Sequence, residues 1–111
     1  MKTRPLVTNP ERDTELHDKI NRETGRIRWD ELERHFAQGN VIYVSEELDL
    51  IDVALRVSHD DKESIARWMR EGKVAKVSDL QAETWAVGDI VLWASVVHPF
   101  ILVQPEKKQL H

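Results

Sequence analysis

A chain of 111 residues with 41% hydrophobic and 32% charged side chains is long enough to bury one modest core, is too short for two domains, and is too apolar for global disorder. It has no cysteine, which excludes disulfides, thiolate zinc sites and cysteine nucleophiles, so stability has to come from packing. The net charge is −4, from 16 Lys and Arg against 20 Asp and Glu with the signs interspersed, so the overall field repels a phosphate backbone and any nucleic-acid role needs a local basic patch.

Residues 1–8 carry Lys2, Arg4 and Pro5 without an apolar period and read as a flexible N-terminal arm with no secretory signal. The longest apolar run, 90–97, is about half of the ~20 residues a membrane-spanning helix needs. The expected location is therefore cytoplasmic.

Asn9, Pro10 and Glu11 form a helix start, and the spacing predicts a helix over 10–24 with Leu16 and Ile20 on one face and Gly25 as its left-handed end. A second helix is predicted over 29–38, where Trp29, Leu32 and Phe36 recur at three and four residues before Gly39. Residues 41–44, Val-Ile-Tyr-Val, read as the first strand. Asp49 caps a third predicted helix whose apolar stripe is Ile51, Ala54 and Leu55, ending near Ser58. Asp60 with Glu63 suggests a capping box for a fourth, with Ile65, Trp68 and Met69 as its buried stripe and Gly72 as its stop.

Ser78 and Gln81 make a further capping box, with Val77 and Ala82 placed as a hydrophobic staple, and open a fifth short helix that passes Trp85 and ends by Gly88. Residues 90–97 and 100–103 are β-branched and apolar around His98-Pro99, which favours two strands buried on both faces. Their connection lacks the Gly or Asn of a tight hairpin, so a bulge or a wider loop is expected. The reading is an α+β domain over 9–105 followed by a flexible tail at 106–111. It has about five short helices and a small, mainly antiparallel three-stranded sheet, whose last two strands are C-terminal.

The run Gly25 to Trp29, with Leu32, Phe36, Gly39, Leu48-Asp49-Leu50, Asp60-Asp61, Trp68, Gly72, Ala75-Lys76, Trp85, Leu92-Trp93 and His98-Pro99 to Gln104, resembles a bacterial family of uncharacterised proteins, domain of unknown function 2288. The likeness spans residues 16–104 and departs from the family at Arg28, where a proline is frequent. It implies one intact stand-alone domain and no particular activity, and the matching residues are those expected at core positions and element ends.

Three groups of residues are candidates for function. The segment 50–76 has the look of a helix-turn-helix, in which Lys62, Arg67, Arg70, Lys73 and Lys76 meet phosphates. Against this, Asp60, Asp61 and Glu63 sit at the end that enters the groove. His59, Asp60, Asp61 and Glu63 gather four potential metal ligands whose oxygen-rich set suits magnesium, calcium or manganese in a metal-dependent enzyme; the bland alternative is a helix N-terminus that simply favours carboxylates. Trp85, Trp93 and Phe100 are candidates for an interface, because three short strands and five short helices leave so apolar a sheet incompletely covered and a second copy is the commonest cover. No serine sits in a nucleophile elbow and the glycines fall at helix ends instead of in a phosphate loop, so no cofactor and no catalytic residue are assigned. The expectation is a small protein-interaction module, self-associating or bound to another protein.

Overall fold

The computed structural model describes residues 24–106. The N-terminal arm, the helix predicted over 10–24 up to its last residue, and the tail from 107 lie outside the described residues. The elements in chain order are β1 (Thr24–Arg28), a 3-10 turn (Trp29–Glu31), α1 (Glu33–Ala37), β2 (Val41–Val44), α2 (Leu50–Ser58), α3 (Lys62–Arg70), β3 (Val74–Lys76), α4 (Asp79–Gly88), β4 (Val91–Val97) and β5 (Phe100–Pro105).

The strands form one five-stranded sheet in the order β1-β4-β5-β2-β3. Three neighbouring pairs are antiparallel, while β2 and β5 run parallel. The sheet is therefore mixed and five-stranded, which corrects the three-stranded expectation. The two unforeseen strands are its edges, and each lacks the usual signal. In β1, Thr-Gly-Arg-Ile-Arg, only Ile27 is a large apolar residue, and Gly25 imitates a helix stop although it sits opposite Ala94 in the ladder. Strand β3 has three residues, of which only Val74 is buried, so it is shorter than any periodicity can reveal.

Among the described residues four α-helices and a 3-10 turn are present, and the fifth predicted helix, over 10–24, lies outside them but for its last residue. The helix predicted over 29–38 is split, because it opens with a tight 3-10 turn at Trp29 and continues as the five-residue α1. Gly39 follows with φ +78, the left-handed residue expected there. Asp49 caps α2 by accepting from the backbone N–H groups of Ile51 and Asp52. The cap of α3 is Asp61 and not Asp60, which is left-handed at φ 56 and serves to turn the chain out of α2. In α3 the buried stripe narrows to Trp68 with half-buried Ile65, and Met69 is 57% exposed, since one residue further round the helix points it off the sheet. The Ser78–Gln81 capping box forms as read, and α4 ends at Gly88 as expected, followed by Asp89 in the left-handed conformation.

Side chains alternate across the sheet and separate two apolar clusters. On the first face Val41, Leu92, Ala94 and Val103 meet Trp29 of the 3-10 turn, Leu32 just after it, and Ala82 and Trp85 of α4. On the second face Val44, Val74 and Leu102 meet Leu50, Val53 and Ala54 of α2 and Trp68 of α3. The central strands are thus covered on both sides, as their continuous apolar character predicts. Strands β4 and β5 join through only two residues, His98 and Pro99, with Val97 paired to Phe100, so the wider or bulged connection is corrected; the peptide between the two is cis.

A candidate interaction face

Helix α4 has apolar residues on opposite sides. Ala82 and Trp85 face the sheet, and Trp85 joins an aromatic chain with Tyr43 at 6.4 Å and Trp29 at 5.6 Å, Trp29 in turn meeting Phe36 edge-on at 5.5 Å. The two edge-to-face contacts, of Trp29 with Trp85 and with Phe36, are favourable beyond simple burial. This chain of rings fixes α4 against the 3-10 turn and α1. On the outward side Leu80 is 73% exposed and Val87 84% exposed. They are seven residues apart and so fall on one line along the helix.

Between α1 and α4 lies a shallow groove of about 330 Å³, lined by Trp29, Glu33, Phe36, Ala82, Glu83 and Ala86. Its floor is aromatic and aliphatic, and Glu33 and Glu83 stand on it from opposite helices. At about 100° per residue, the order around α4 from the groove is Ala82, Ala86, Glu83, then Val87 and Leu80. The groove and the outer stripe therefore form one continuous surface, apolar but for its carboxylates. Sequence reading missed this face because Leu80 and Val87 look like core residues; the clue is that α4 carries large apolar residues on opposite sides, which a helix packed on only one side has no need of.

The other candidates are dispersed. His59 and Asp60 are exposed at the end of α2, Glu63 is exposed in the first turn of α3, and Asp61 is committed to its cap. Asp61 accepts from the backbone N–H of Ser64 at 3.2 Å and from its hydroxyl at 2.9 Å, and from Arg56 at 3.2 Å. Those Ser64 bonds, with Arg56 adding its charge, hold the Asp61 carboxyl below the usual carboxylate range. Among the described residues no three His, Asp or Glu side chains converge as a metal site would require.

Lys62 approaches Asp60 at 3.9 Å, and Lys73 lies 3.5 Å from both Glu47 and Glu71. Arg67 stacks over Trp68 at 5.9 Å, Arg70 is exposed at the end of α3, and Lys76 is on edge strand β3. The basic residues are thus spread over α3, the turn after it and edge strand β3, with carboxylates interleaved. Of the interface candidates, Trp85 is buried, whereas Trp93 and Phe100 are each 37% exposed. Trp93 has Arg26 6.0 Å above its ring. Ser95 and Leu102, both buried under α2, separate Trp93 from Phe100, so the two do not share a patch.

One residue outside every candidate group is structurally decisive. The Gln104 amide donates to the carbonyl oxygens of Ser45 and Leu48, both at 2.7 Å, and ties the loop that leads into α2 down to β5.

A mixed sheet with an aromatic-backed helix pair on one face and an α-hairpin on the other, carrying an exposed apolar and acidic surface on α4, defines a small α+β scaffold. The chain belongs to the family described as Protein of unknown function (DUF2288), whose model matches residues 15–105. It is similar to the NMR solution structure of PA1075 from Pseudomonas aeruginosa, with 34% identity and a TM-score of 0.75 over 99% of this chain and 100% of that one. No curated protein matches the sequence. No helix among the described residues is long and apolar enough to cross a membrane.

Proposed function

We propose that this protein is a protein-binding module that receives a basic, amphipathic segment of a partner protein on the surface formed by α1 and α4. The single observation behind the reading is the outward pair Leu80 and Val87, contiguous with an aromatic-floored groove that Glu33 and Glu83 flank. Apolar residues of the partner cover Val87, Leu80 and Phe36, and its Lys or Arg side chains meet the two glutamates. Charge complementarity of this kind sets orientation and speeds encounter.

The carboxylates also favour a different protein over a second copy. If two α4 helices packed antiparallel about a two-fold axis, Leu80 would face Val87 of the other copy, and the axis would fall beside Glu83, setting like charges against each other.

The test uses two synthetic amphipathic helical peptides of one length, both with Leu at i, i+3, i+4 and i+7 spacing and the remaining positions Lys in one and Glu in the other, titrated into isotope-labelled full-length protein. The Leu/Lys peptide is expected to shift the amide resonances of 33–36 and 79–88, more weakly as salt rises, with the shifts lost in Leu80→Asp/Val87→Asp. Equal binding of the Leu/Glu peptide, shifts centred elsewhere, or a stable dimer that buries α4 at micromolar concentration would each refute the reading.

A further inference from the structure

We infer that the groove between α1 and α4 takes one arginine side chain of the partner, carried midway between two apolar residues that lie seven positions apart in the bound segment. The inference rests on the reading of that face as a protein-binding surface and names the residue the groove itself receives.

The groove offers a ring, two carboxylates and a low wall. Phe36 is half-buried and meets the buried Trp29 edge-on at 5.5 Å, so part of one ring is open to a ligand. Glu33 and Glu83 are exposed on the two flanking helices, and among the described residues neither makes an ion pair. Arg34 follows Glu33 in sequence but lies about 100° further round α1. Asp89, Glu106 and Glu47, by contrast, are paired with Arg28, Arg26 and Lys73. Ala82 and Ala86, one turn apart, bring only methyl groups to the α4 wall. A planar guanidinium donates to two carboxylates at once while its face lies on a ring; an ammonium is a compact, strongly hydrated point charge that cannot do both.

The helix rise fixes the register. Leu80 and Val87 are about 10.5 Å apart along α4, and Ala82, Glu83 and Ala86 fall about 3, 4.5 and 9 Å from Leu80, so the groove is centred about halfway between the two exposed residues. A partner helix lying along α4, with apolar residues i and i+7 over Leu80 and Val87, therefore brings i+3 and i+4 level with the groove. These two stand on opposite sides of its apolar line, and the direction in which the helix lies decides which one enters.

The test takes the Leu/Lys peptide and replaces its Leu at i+4 by Arg, Lys or citrulline; a fourth peptide carries Lys at i+4 and Arg at i+2, on the far side. Each is titrated into labelled full-length protein and followed at 33–36 and 79–88. Arg at i+4 is expected to bind about fivefold tighter than Lys and about tenfold tighter than citrulline. The preference should vanish in Glu33→Gln/Glu83→Gln, which removes the charge, and in Ala86→Leu, which fills the groove and keeps the charge. All three positions are exposed, so the fold should be unaffected. Equal binding of the Arg and Lys peptides, equal binding with Arg at i+2, or a preference that survives Ala86→Leu would each overturn the inference while leaving the protein-binding reading in place. Failure of all four peptides and of the parent Leu/Lys peptide to shift these resonances would overturn both.

Discussion

Asp61 shows how one side chain can carry the junction between two helices. It accepts two bonds from Ser64 at the start of α3 and one from Arg56 of α2, and its carboxyl is held below its ordinary pKa. A carboxylate whose folded pKa is depressed contributes stability in full above its unfolded value, near pKa ~3.9, and loses that contribution as pH falls through the folded value. Asp61→Asn keeps an acceptor at the cap but removes the charge. Its stability deficit relative to the parent, measured by urea denaturation, should be constant from neutrality down to about pH 5 and shrink below pH ~4. A deficit that persists at pH 2 would show that geometry, not charge, is what Asp61 supplies. The sequence displayed the cap but pointed to Asp60, because Asp-x-x-Glu fits the capping pattern equally well at that position. The left-handed φ of Asp60 settles the matter, and it depends on how α2 and α3 fold against the sheet.

Helix α4 buries Ala82 and Trp85 on one side and exposes Leu80 and Val87 on the other. Trp85 packs between Tyr43 and Trp29, so Trp85→Ala should cost about 3–5 kcal/mol, by lost transfer energy and the cavity left behind. Leu80→Lys and Val87→Lys alter exposed positions and should change stability by less than about 0.5 kcal/mol. Guanidinium unfolding of the three variants checks the contrast. A large loss at Leu80 or Val87 would mean that the outward stripe is covered in solution and would turn attention to what covers it. The caps at Asp49 and Ser78 and the stop at Gly39 were legible because they depend on neighbours three or four residues away. The direction of Leu80 was not, because every turn of α4 offers an apolar residue and the pattern does not say which side meets the sheet.

In the molecule as a whole, one sheet is shared by two cores. Trp29 anchors the first and Trp68 the second, and β2, β4 and β5 contribute to both. Truncating either tryptophan to alanine should cost about 3–5 kcal/mol, a large part of the stability of a domain this size. Unfolding should remain a single transition in each variant, with tryptophan fluorescence and far-ultraviolet circular dichroism coincident, since neither helical layer can lose its support without exposing the other side of the same strands. Separate transitions would show that the layers fold as independent units.

The residue order along the chain was enough to set the apolar central strands, the capped helices and the turns at Gly39 and Gly72, because each rests on local spacing or on a backbone angle that glycine alone adopts easily. It was also enough to place the chain in its family. The edge strands β1 and β3, the parallel match of β2 with β5, the bracing of the loop by Gln104 and the emergence of Leu80 and Val87 beside an acidic groove arose only on folding. Each depends on partners distant along the chain, whose pairing is fixed by packing and hydrogen bonding in three dimensions and leaves no short-range pattern to read.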